Sequence, residues 1–367
     1  MWPPLGSDLA GRVARDVERS LLRARNGIRF VAAMARPREG ATPKDVVWQR
    51  DRAELWRYRS RTPIRYATPV VIVHSLVSRS YILDLRPGSS HVEYLLDQGF
   101  DVFMLDWGVP DERDADNSFE TYVDEYLPLA VDAALAASGA EELTLSGYCL
   151  GGVFGILFCA AYPEVPVRNL VLLATPVDFS QMGAMVAAVA SGRLDTADLL
   201  DETGNVPADA LYSGFYMQAP TKEIAQYATL LENLWNNEFV EAYQAMAQWS
   251  RDHVPMPGAA TRQIVDDLIR RNVLTTGRWE IGGRELDFGA VRANVLNAVA
   301  ERDNVVPAIV SAPVMDLVGD PSRREELRLT GGHVTFGAGS HAFERTLPAL
   351  SRWLADHSGE LDPPKER

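Results

Sequence analysis

The stretch that decides the fold is Leu143–Gly152, with the sequence LTLSGYCLGG, followed by the apolar run Val153–Ala161. The first apolar residues predict a buried strand, and the run after the glycines predicts a helix. Between them Gly147 and Gly151 flank Cys149 in a Gly-x-Cys-x-Gly pattern. A nucleophile on a sharp strand-to-helix turn leaves no room for side chains two positions away, so glycine is needed there. The segment therefore predicts a nucleophile elbow with cysteine in the place of serine.

Short apolar runs on either side of the elbow predict a parallel sheet. They lack polar alternation, as expected for strands that helices cover on both faces. The runs are Val70–Val73, Val102–Leu105, Leu143–Ser146, Leu170–Leu173, Val295–Val299 and Leu327–Leu329. Helical patterns lie between them, for example at His91–Gln98, and a last helix is predicted near Phe343–Leu354. The fold class is therefore α/β.

Two parts of the chain depart from this strand rhythm. Between Phe179 and about Leu286 the apolar residues follow helical spacing, which predicts a helical cap over residues 179–285. The core then comprises residues 46–178 and 286–367. In residues 1–45 an amphipathic helix is predicted to lie on the main body, because apolar residues recur near helical spacing. Those residues are Leu9, Val13, Val17, Leu21 and Ile28.

A cysteine nucleophile needs a base and an acid, which in this architecture follow it in the order acid, histidine, on loops after late strands. Asp303 follows the run Val295–Val299, and His333 follows two glycines thirty residues later. Both are therefore the predicted partners of the nucleophile. Glu301 is the competing acid and His341 the competing histidine.

The predicted oxyanion hole consists of two backbone N–H groups. One belongs to Leu150, directly after the nucleophile, and we expect the other from Leu76, in the loop that follows Val70–Val73. The second cysteine, Cys159, lies inside an apolar helical run and is predicted to pack in the core.

Composition narrows the function further. The 367 residues carry a net charge of −14, which disfavours a nucleic-acid-binding role. With 2 cysteines the chain has no disulfide framework. It shows neither a signal-peptide pattern nor an apolar run of the roughly 18 residues that span a bilayer, so we expect a cytoplasmic protein. Residues 1–38 hold 8 Arg against 3 acidic residues, a balance of +5, which indicates either a docking surface or a solvated helix face.

Several longer motifs resemble those of one enzyme family, the polyhydroxyalkanoate (poly-3-hydroxybutyrate) synthases. The resemblance is greatest to the short catalytic subunits of the two-component class III and class IV enzymes, and it covers nearly the whole chain. The motifs are RARNGI at residues 23–28, LVSRSYILDL at 76–85, GFDVFMLDWGVPD at 99–111, GYCLGG at 147–152, WSRD at 249–252 and MPG at 256–258, together with the loops of Asp303 and His333.

This resemblance implies an α/β-hydrolase fold with a cap and an acyltransferase activity. The enzyme would polymerise (R)-3-hydroxyacyl-CoA into polyhydroxyalkanoate with release of CoA. Carried over by motif, Cys149 holds the acyl group, His333 is the general base and Asp303 assists the hydroxyl or the imidazole. The resemblance implies no metal or organic cofactor, with the coenzyme A thioester as substrate.

The resemblance also implies partners. They are the growing polyester chain or its granule and a second synthase subunit, in a homodimer or a hetero-oligomer, with no nucleic acid. The short basic N-terminal region favours the second subunit, because long single-chain members carry a large additional region there. We therefore expect a cytoplasmic location that extends to the granule surface.

Some residues depart from the family pattern or leave it open. Ser78 and Ser80 stand where Asn-Arg-Pro is common in the short synthases, which affects substrate preference more than reaction type. Asp106 and Trp107 also have a structural interpretation, as a strand cap and a packed indole. The alternatives to a synthase are a cysteine-dependent hydrolase, either an acyl-CoA thioesterase or a depolymerase, and a non-catalytic granule-surface protein.

Overall fold

The computed structural model describes residues 18–23, 25–26, 40, 42–193, 195–217, 222–339 and 341–361. Most of the predicted N-terminal helix therefore lies outside the described residues, which include Leu21 but not Leu9, Val13, Val17 or Ile28. None of the helices in the described ranges is long and apolar enough to cross a membrane.

The core is one sheet of 8 strands in the order β1-β2-β4-β3-β5-β6-β11-β12. All six runs predicted as strands belong to it, and the strands from β4 to β12 in this order pair in parallel. The α/β prediction is thus confirmed. The strands are β1 (Lys44–Arg50), β2 (Ala53–Tyr58), β3 (Val70–Val73), β4 (Val102–Asp106), β5 (Leu143–Tyr148), β6 (Val167–Leu173), β7 (Asn205–Val206), β8 (Met256–Pro257), β9 (Arg278–Ile281), β10 (Arg284–Asp287), β11 (Asn294–Ala300) and β12 (Arg324–Leu329).

Helices cover both faces of this sheet. They are α1 (His91–Asp97), α2 (Leu127–Ser138), α3 (Leu150–Ala161), α4 (Gly183–Ala190), α5 (Ala208–Met217), α6 (Lys222–Asn233), α7 (Asn237–Trp249), α8 (Gly258–Gln263), α9 (Ala308–Ser311), α10 (Val314–Leu317) and α11 (Leu347–His357). Wider π-helical turns at Thr121–Tyr126 and Ala342–Thr346 lead into α2 and α11, and another at Ile264–Arg270 extends α8. Short 3₁₀ turns complete the structure at Ser80–Asp84, Glu112–Asp114, Phe179–Gln181, Thr196–Leu199, Val273–Thr276, Phe288–Ala290, Pro321–Arg323 and His333–Phe336.

Alternation along β3 divides the core into two layers. Val71 and Val73 pack in one cluster with α2 and α3, whereas Val70 and Ile72 pack in the other with α1 and α11. Successive side chains of a strand point to opposite faces, and both faces are apolar because helices cover both. This arrangement holds the carboxyl ends of the central strands at one rigid edge.

Two hairpins were missing from the sequence prediction. Strands β1 and β2 form an antiparallel edge, and their mixed polar sequence lacks the continuous apolar run used to find the other strands. The segment 179–285 is also not purely helical, because β9 and β10 pair across Gly282 and Gly283, both with positive φ. Trp279 of β9 joins the same apolar cluster as α3, so this hairpin packs against the core.

The described N-terminal residues contact the connection between α6 and α7. The buried Asn26 donates hydrogen bonds through Nδ2 to the Leu234 carbonyl oxygen at 2.6 Å and to Asn237 Oδ1 at 2.8 Å. The Arg19 guanidinium lies 4.7 Å from the centre of the Trp235 ring. We call α4 to α7 the cap helices. The described N-terminal residues thus contact the cap helices through the hydrogen bonds of Asn26 and the cation–π contact of Arg19.

Candidate active site

Cys149 occupies the turn between β5 and α3. Its backbone has φ 55° and ψ −120°, a conformation that side-chain-bearing residues adopt at a cost. The flanking glycines make the turn feasible, because a methyl group at Gly147 would meet the backbone of Gly152, and one at Gly151 would overlap the carbonyl oxygen of Val73. The predicted elbow thus has a physical basis in the packing of this turn.

The two cysteines differ in their surroundings. Cys149 is a free thiol with 9% of its surface exposed, at the N-terminus of α3. A helix N-terminus directs unpaired N–H groups toward a side chain at that position. Cys159 lies within the same helix, where burial raises the pKa of its thiol to about 12. Only the first cysteine is placed for nucleophilic chemistry.

His333 and Asp303 form a pair beside the elbow. His333 Nδ1 lies 2.7 Å from Asp303 Oδ2, and the Asp303 side chain is fully buried. The other oxygen of Asp303 accepts hydrogen bonds from the backbone N–H groups of Val305 and Val306, each at 2.8 Å. The carboxylate is therefore fixed by its own loop, and it fixes the orientation of the imidazole in turn.

The charge state of His333 depends on its neighbours. Burial by itself lowers the pKa of the imidazole, but Asp303 and Cys149 together outweigh it and raise the pKa to about 10. Such an imidazole is protonated at neutral pH while it faces an anionic sulfur. The site can therefore hold a thiolate–imidazolium pair, the reactive form of a cysteine nucleophile.

The competing residues lie elsewhere. Glu301 lies in the same turn as Asp303 but is exposed, and His341 is exposed as well. His91 is buried at the start of α1, where its Nδ1 donates to the Phe336 carbonyl oxygen at 2.7 Å. The His357 ring bonds to the Trp353 carbonyl oxygen within its own helix. Of the weighed histidines, the structure brings His333 alone to the Asp303 carboxylate among the described residues.

We call residues 74–81 the oxyanion loop, because it contains Leu76. The Leu76 side chain is buried, and no described residue accepts a hydrogen bond from its N–H. Trp107 Nε1 donates to the His74 carbonyl oxygen at 2.8 Å. Asp106 accepts from the hydroxyl of Ser80 and, at 2.9 Å, from the N–H of Gly108. The Asp-Trp-Gly motif at the end of β4 thus caps the strand and packs its indole. It also supports the oxyanion loop, through the His74 carbonyl oxygen and the Ser80 hydroxyl.

Sequence reasoning missed two aromatic neighbours of His333. The Tyr148 ring lies 5.1 Å from the His333 ring and 5.7 Å from the His74 ring, and its hydroxyl donates to the His333 carbonyl oxygen at 3.1 Å. Burial lowers the pKa of His74 to about 4, so this ring is neutral. Their positions in the sequence were the only available signal, since Tyr148 directly precedes Cys149 and His74 directly follows β3.

Family comparisons agree with this geometry. A family model for the alpha/beta hydrolase fold matches residues 68–340, and a model for the N-terminus of poly-beta-hydroxybutyrate polymerase (PhaC) matches residues 38–95. The poly(3-hydroxyalkanoate) polymerase subunit PhaC of Allochromatium vinosum is 32% identical over 86% of this chain and 89% of its own length. This chain belongs to the PhaC family. The resemblance noted in the sequence is thereby confirmed, and the family's named members are polymerases, hence enzymes.

Other relatives differ in length. The PhaC subunit of Haloferax mediterranei is 34% identical over 87% of this chain, and the match spans 65% of that protein, slightly less than two thirds. Among solved structures, a putative lipase from Sulfolobus solfataricus superimposes with a TM-score of 0.53 over 86% of this chain and 99% of its own, at 14% identity. That likeness concerns the fold alone. The α/β-hydrolase prediction is confirmed by the family model for that fold over residues 68–340.

Proposed function

We propose that this PhaC-family chain polymerises (R)-3-hydroxyacyl-CoA into polyhydroxyalkanoate through an acyl group carried on Cys149, with release of CoA. The observation that carries the proposal is the position of Cys149 on a strained elbow, close enough to the buried His333–Asp303 pair to raise the pKa of the imidazole. Membership of the polymerase family supports the same reaction class.

Acylation is the first step. The Cys149 thiolate attacks the thioester carbonyl carbon, and the oxyanion that forms is stabilised by the N–H groups of Leu150 and Leu76. The intermediate collapses with cleavage of the bond to the CoA sulfur. CoA leaves as the thiol after it takes the proton of the His333 imidazolium. The bond broken and the bond formed are both thioesters, so the step is close to balanced in energy.

Chain extension requires a neutral imidazole. Acylation removes the negative charge of Cys149, one of the influences that raise the pKa of His333, so the pKa falls once the acyl group is bound. The imidazole then accepts the proton of the 3-hydroxyl of another acyl unit, and the oxygen attacks the acyl-Cys149 carbonyl. An ester forms, the bond to Cys149 breaks, and the thiolate faces the imidazolium again.

The test is incubation of the purified chain with 3-hydroxybutyryl-CoA, with released CoA and insoluble polymer measured together. We expect both products, and a Cys149→Ala variant should yield neither. CoA release accompanied only by free 3-hydroxybutyrate would identify a hydrolase and contradict the proposal. Absence of turnover with or without an added partner subunit would favour the non-catalytic alternative.

A second subunit and a polyester granule are proposed partners. The support is the basic charge of residues 1–38 and the attachment of Arg19 and Asn26 to the cap helices, which would transmit binding at the N-terminus to the cap. We expect the isolated chain to polymerise slowly or after a lag that a helical, acidic subunit relieves. Charge reversal at Arg19 and Arg23 should weaken that association, measured by co-purification. Lag-free polymerisation by the chain alone at low concentration would contradict the partner proposal.

A further inference from the structure

Two serine side chains of the oxyanion loop form hydrogen bonds on its sheet side. Ser78 Oγ lies 3.2 Å from Nε2 of His74, and Ser80 donates its hydroxyl to Asp106. These are two of the positions at which the chain departs from the family pattern. The Ser78 contact therefore lies within the loop, and the Ser80 hydrogen bond joins the loop to the end of β4. Other groups contact the outer side of the loop.

That outer side is bonded to the end of the cap helix α7. Asp252 accepts a hydrogen bond from Arg79 Nε at 3.4 Å and another from the Tyr81 hydroxyl at 3.1 Å. The Trp249 indole donates to the Arg79 carbonyl oxygen at 2.9 Å, and Ser78 forms an isolated antiparallel bridge with His253. Arg79 and Asp252 are 173 positions apart in the sequence.

These contacts have the character of a closure that can open. The side chains of Arg79 and Asp252 remain 35% and 31% exposed, so water competes with their ion pair and weakens it. The donors of the other two hydrogen bonds, the Trp249 indole and the Tyr81 hydroxyl, are uncharged. None of the four contacts named here involves Cys149, Asp303 or His333. They join the cap to the oxyanion loop, while Ala245 of α7 lies in the same apolar cluster as Cys149.

We propose that Asp252 is a positioning residue that couples the seating of the cap to the assembly of the oxyanion hole. Through Arg79 and Tyr81 it holds the oxyanion loop, and with the loop the N–H of Leu76. When the cap helices move away, the loop loses its outer bonds and the oxyanion hole loses one donor. The substrate thioester thus meets a complete site only under a seated cap.

This inference rests on the proposed function. Two reactions of the Cys149 sulfur distinguish a failure of the inference from a failure of the proposed function. Alkylation of Cys149 by iodoacetamide requires the thiolate but forms no oxyanion at a carbonyl carbon. Acylation by 3-hydroxybutyryl-CoA requires both. A group that acts only through the oxyanion loop should slow acylation and leave alkylation unchanged, whereas loss of the fold or of the thiolate should slow both.

The experiment compares the full-length chain with Asp252→Ala and Tyr81→Phe, and uses Glu241→Ala as the matched control, since Glu241 is an exposed acid on the same helix α7. Rapid-quench mass spectrometry follows acylation and alkylation of the Cys149 peptide. For Asp252→Ala we expect acylation to slow by about tenfold or more, with alkylation within about twofold of wild type. Tyr81→Phe, which removes one hydroxyl, should show a smaller loss of the same kind, and Glu241→Ala none.

Normal acylation in both Asp252→Ala and Tyr81→Phe would overturn the coupling while leaving the proposed function intact. A parallel fall of acylation and alkylation in the milder Tyr81→Phe would also overturn it, because the contacts would then merely maintain the fold. A wild-type chain whose Cys149 is alkylated but never acylated would instead contradict the proposed function. The double variant Arg79→Ala/Asp252→Ala should be no slower than the more affected single variant, as expected for residues acting through one contact.

Discussion

The elbow helix α3 and the cap helix α7 are of similar length and differ in almost everything else. In α3 every residue from Leu150 to Ala160 is buried, whereas in α7 only Val240 and Ala245 are. The first helix is apolar on all sides because the sheet and neighbouring helices surround it. The second keeps a polar face and is joined to the oxyanion loop by a few hydrogen bonds. The predicted nucleophile thus lies at the start of a fully packed helix, whereas the contacts to the oxyanion loop come from the end of a helix that is mostly solvent-facing.

The largest effect should come from the sulfur on the rigid side. Cys149→Ala is expected to lower acyl transfer at least about a thousandfold, because it removes the sulfur proposed to carry the acyl group. The fold should survive, since the variant loses one sulfur from a turn that the glycines already shape. Turnover assays and thermal unfolding of the same preparation measure both results.

Thiol labelling supplies the control for that variant. Near pH 7 a thiol probe should modify Cys149 well before Cys159, because burial raises the pKa of the Cys159 thiol to about 12. Peptide mass spectrometry distinguishes the two sites. Equal labelling of both cysteines, or full turnover by Cys149→Ala, would contradict the assignment of the nucleophile.

The next effect separates the two members of the buried pair. His333→Ala should lower activity by about 10² to 10⁴, the range for loss of a general base. Asp303→Asn should slow chain extension more than the first acylation, because the Cys149 sulfur still favours a protonated His333 when the carboxylate is lost, whereas deprotonation of a secondary alcohol needs an oriented, strong base. Rapid-quench measurement of the acyl-enzyme and of later turnovers tests the difference, and normal extension by Asp303→Asn would be incompatible with it.

A stability measurement sharpens the contrast between core and cap. Phe154 of α3 is fully buried, with its ring 4.9 Å from Phe119 and 5.2 Å from Tyr122. Phe154→Ala should lower the free energy of unfolding by about 3–5 kcal/mol. Leu231 of α6 is 64% exposed, so Leu231→Ala should change it by no more than about 0.5 kcal/mol. Chemical denaturation of both variants would test this, and equal losses would mean that the cap is packed as tightly as the core.

The smallest effect concerns acid stability. Burial lowers the pKa of His91 to about 4, whereas the unfolded chain keeps an ordinary value of about 6.5. The unfolded state then binds the proton first, so the stability contributed by the neutral ring is present above pH 6.5 and is lost as the pH falls toward 4. His91→Gln should reduce the pH slope of the unfolding free energy in that window by at most roughly 1.4 kcal/mol per pH unit. An unchanged slope in His91→Gln would contradict the assigned charge state.

Local pattern was sufficient wherever a few neighbouring residues dictate one conformation. The strand, the two glycines and the apolar helix around Cys149 predicted the elbow, because no other residue fits beside that backbone. It was insufficient at the edges. The β9–β10 hairpin shows alternating burial in β9 and two glycines at its turn, yet the helical spacing around it predicts a helical cap there. Its signal is a period of two over only four residues, which helical neighbours obscure.

By itself, then, the sequence determined the class of fold, and it predicted the nucleophile and the order in which acid and histidine follow it. Each of these depends on short-range sterics, on hydrophobic period or on chain order. Only the tertiary structure decided that the Tyr148 ring lies close to the rings of both His333 and His74, and that Asp252 bonds to Arg79. Such contacts join residues that are far apart along the chain, and their geometry is set by how the sheet, the loop and the cap pack together, which no local pattern encodes.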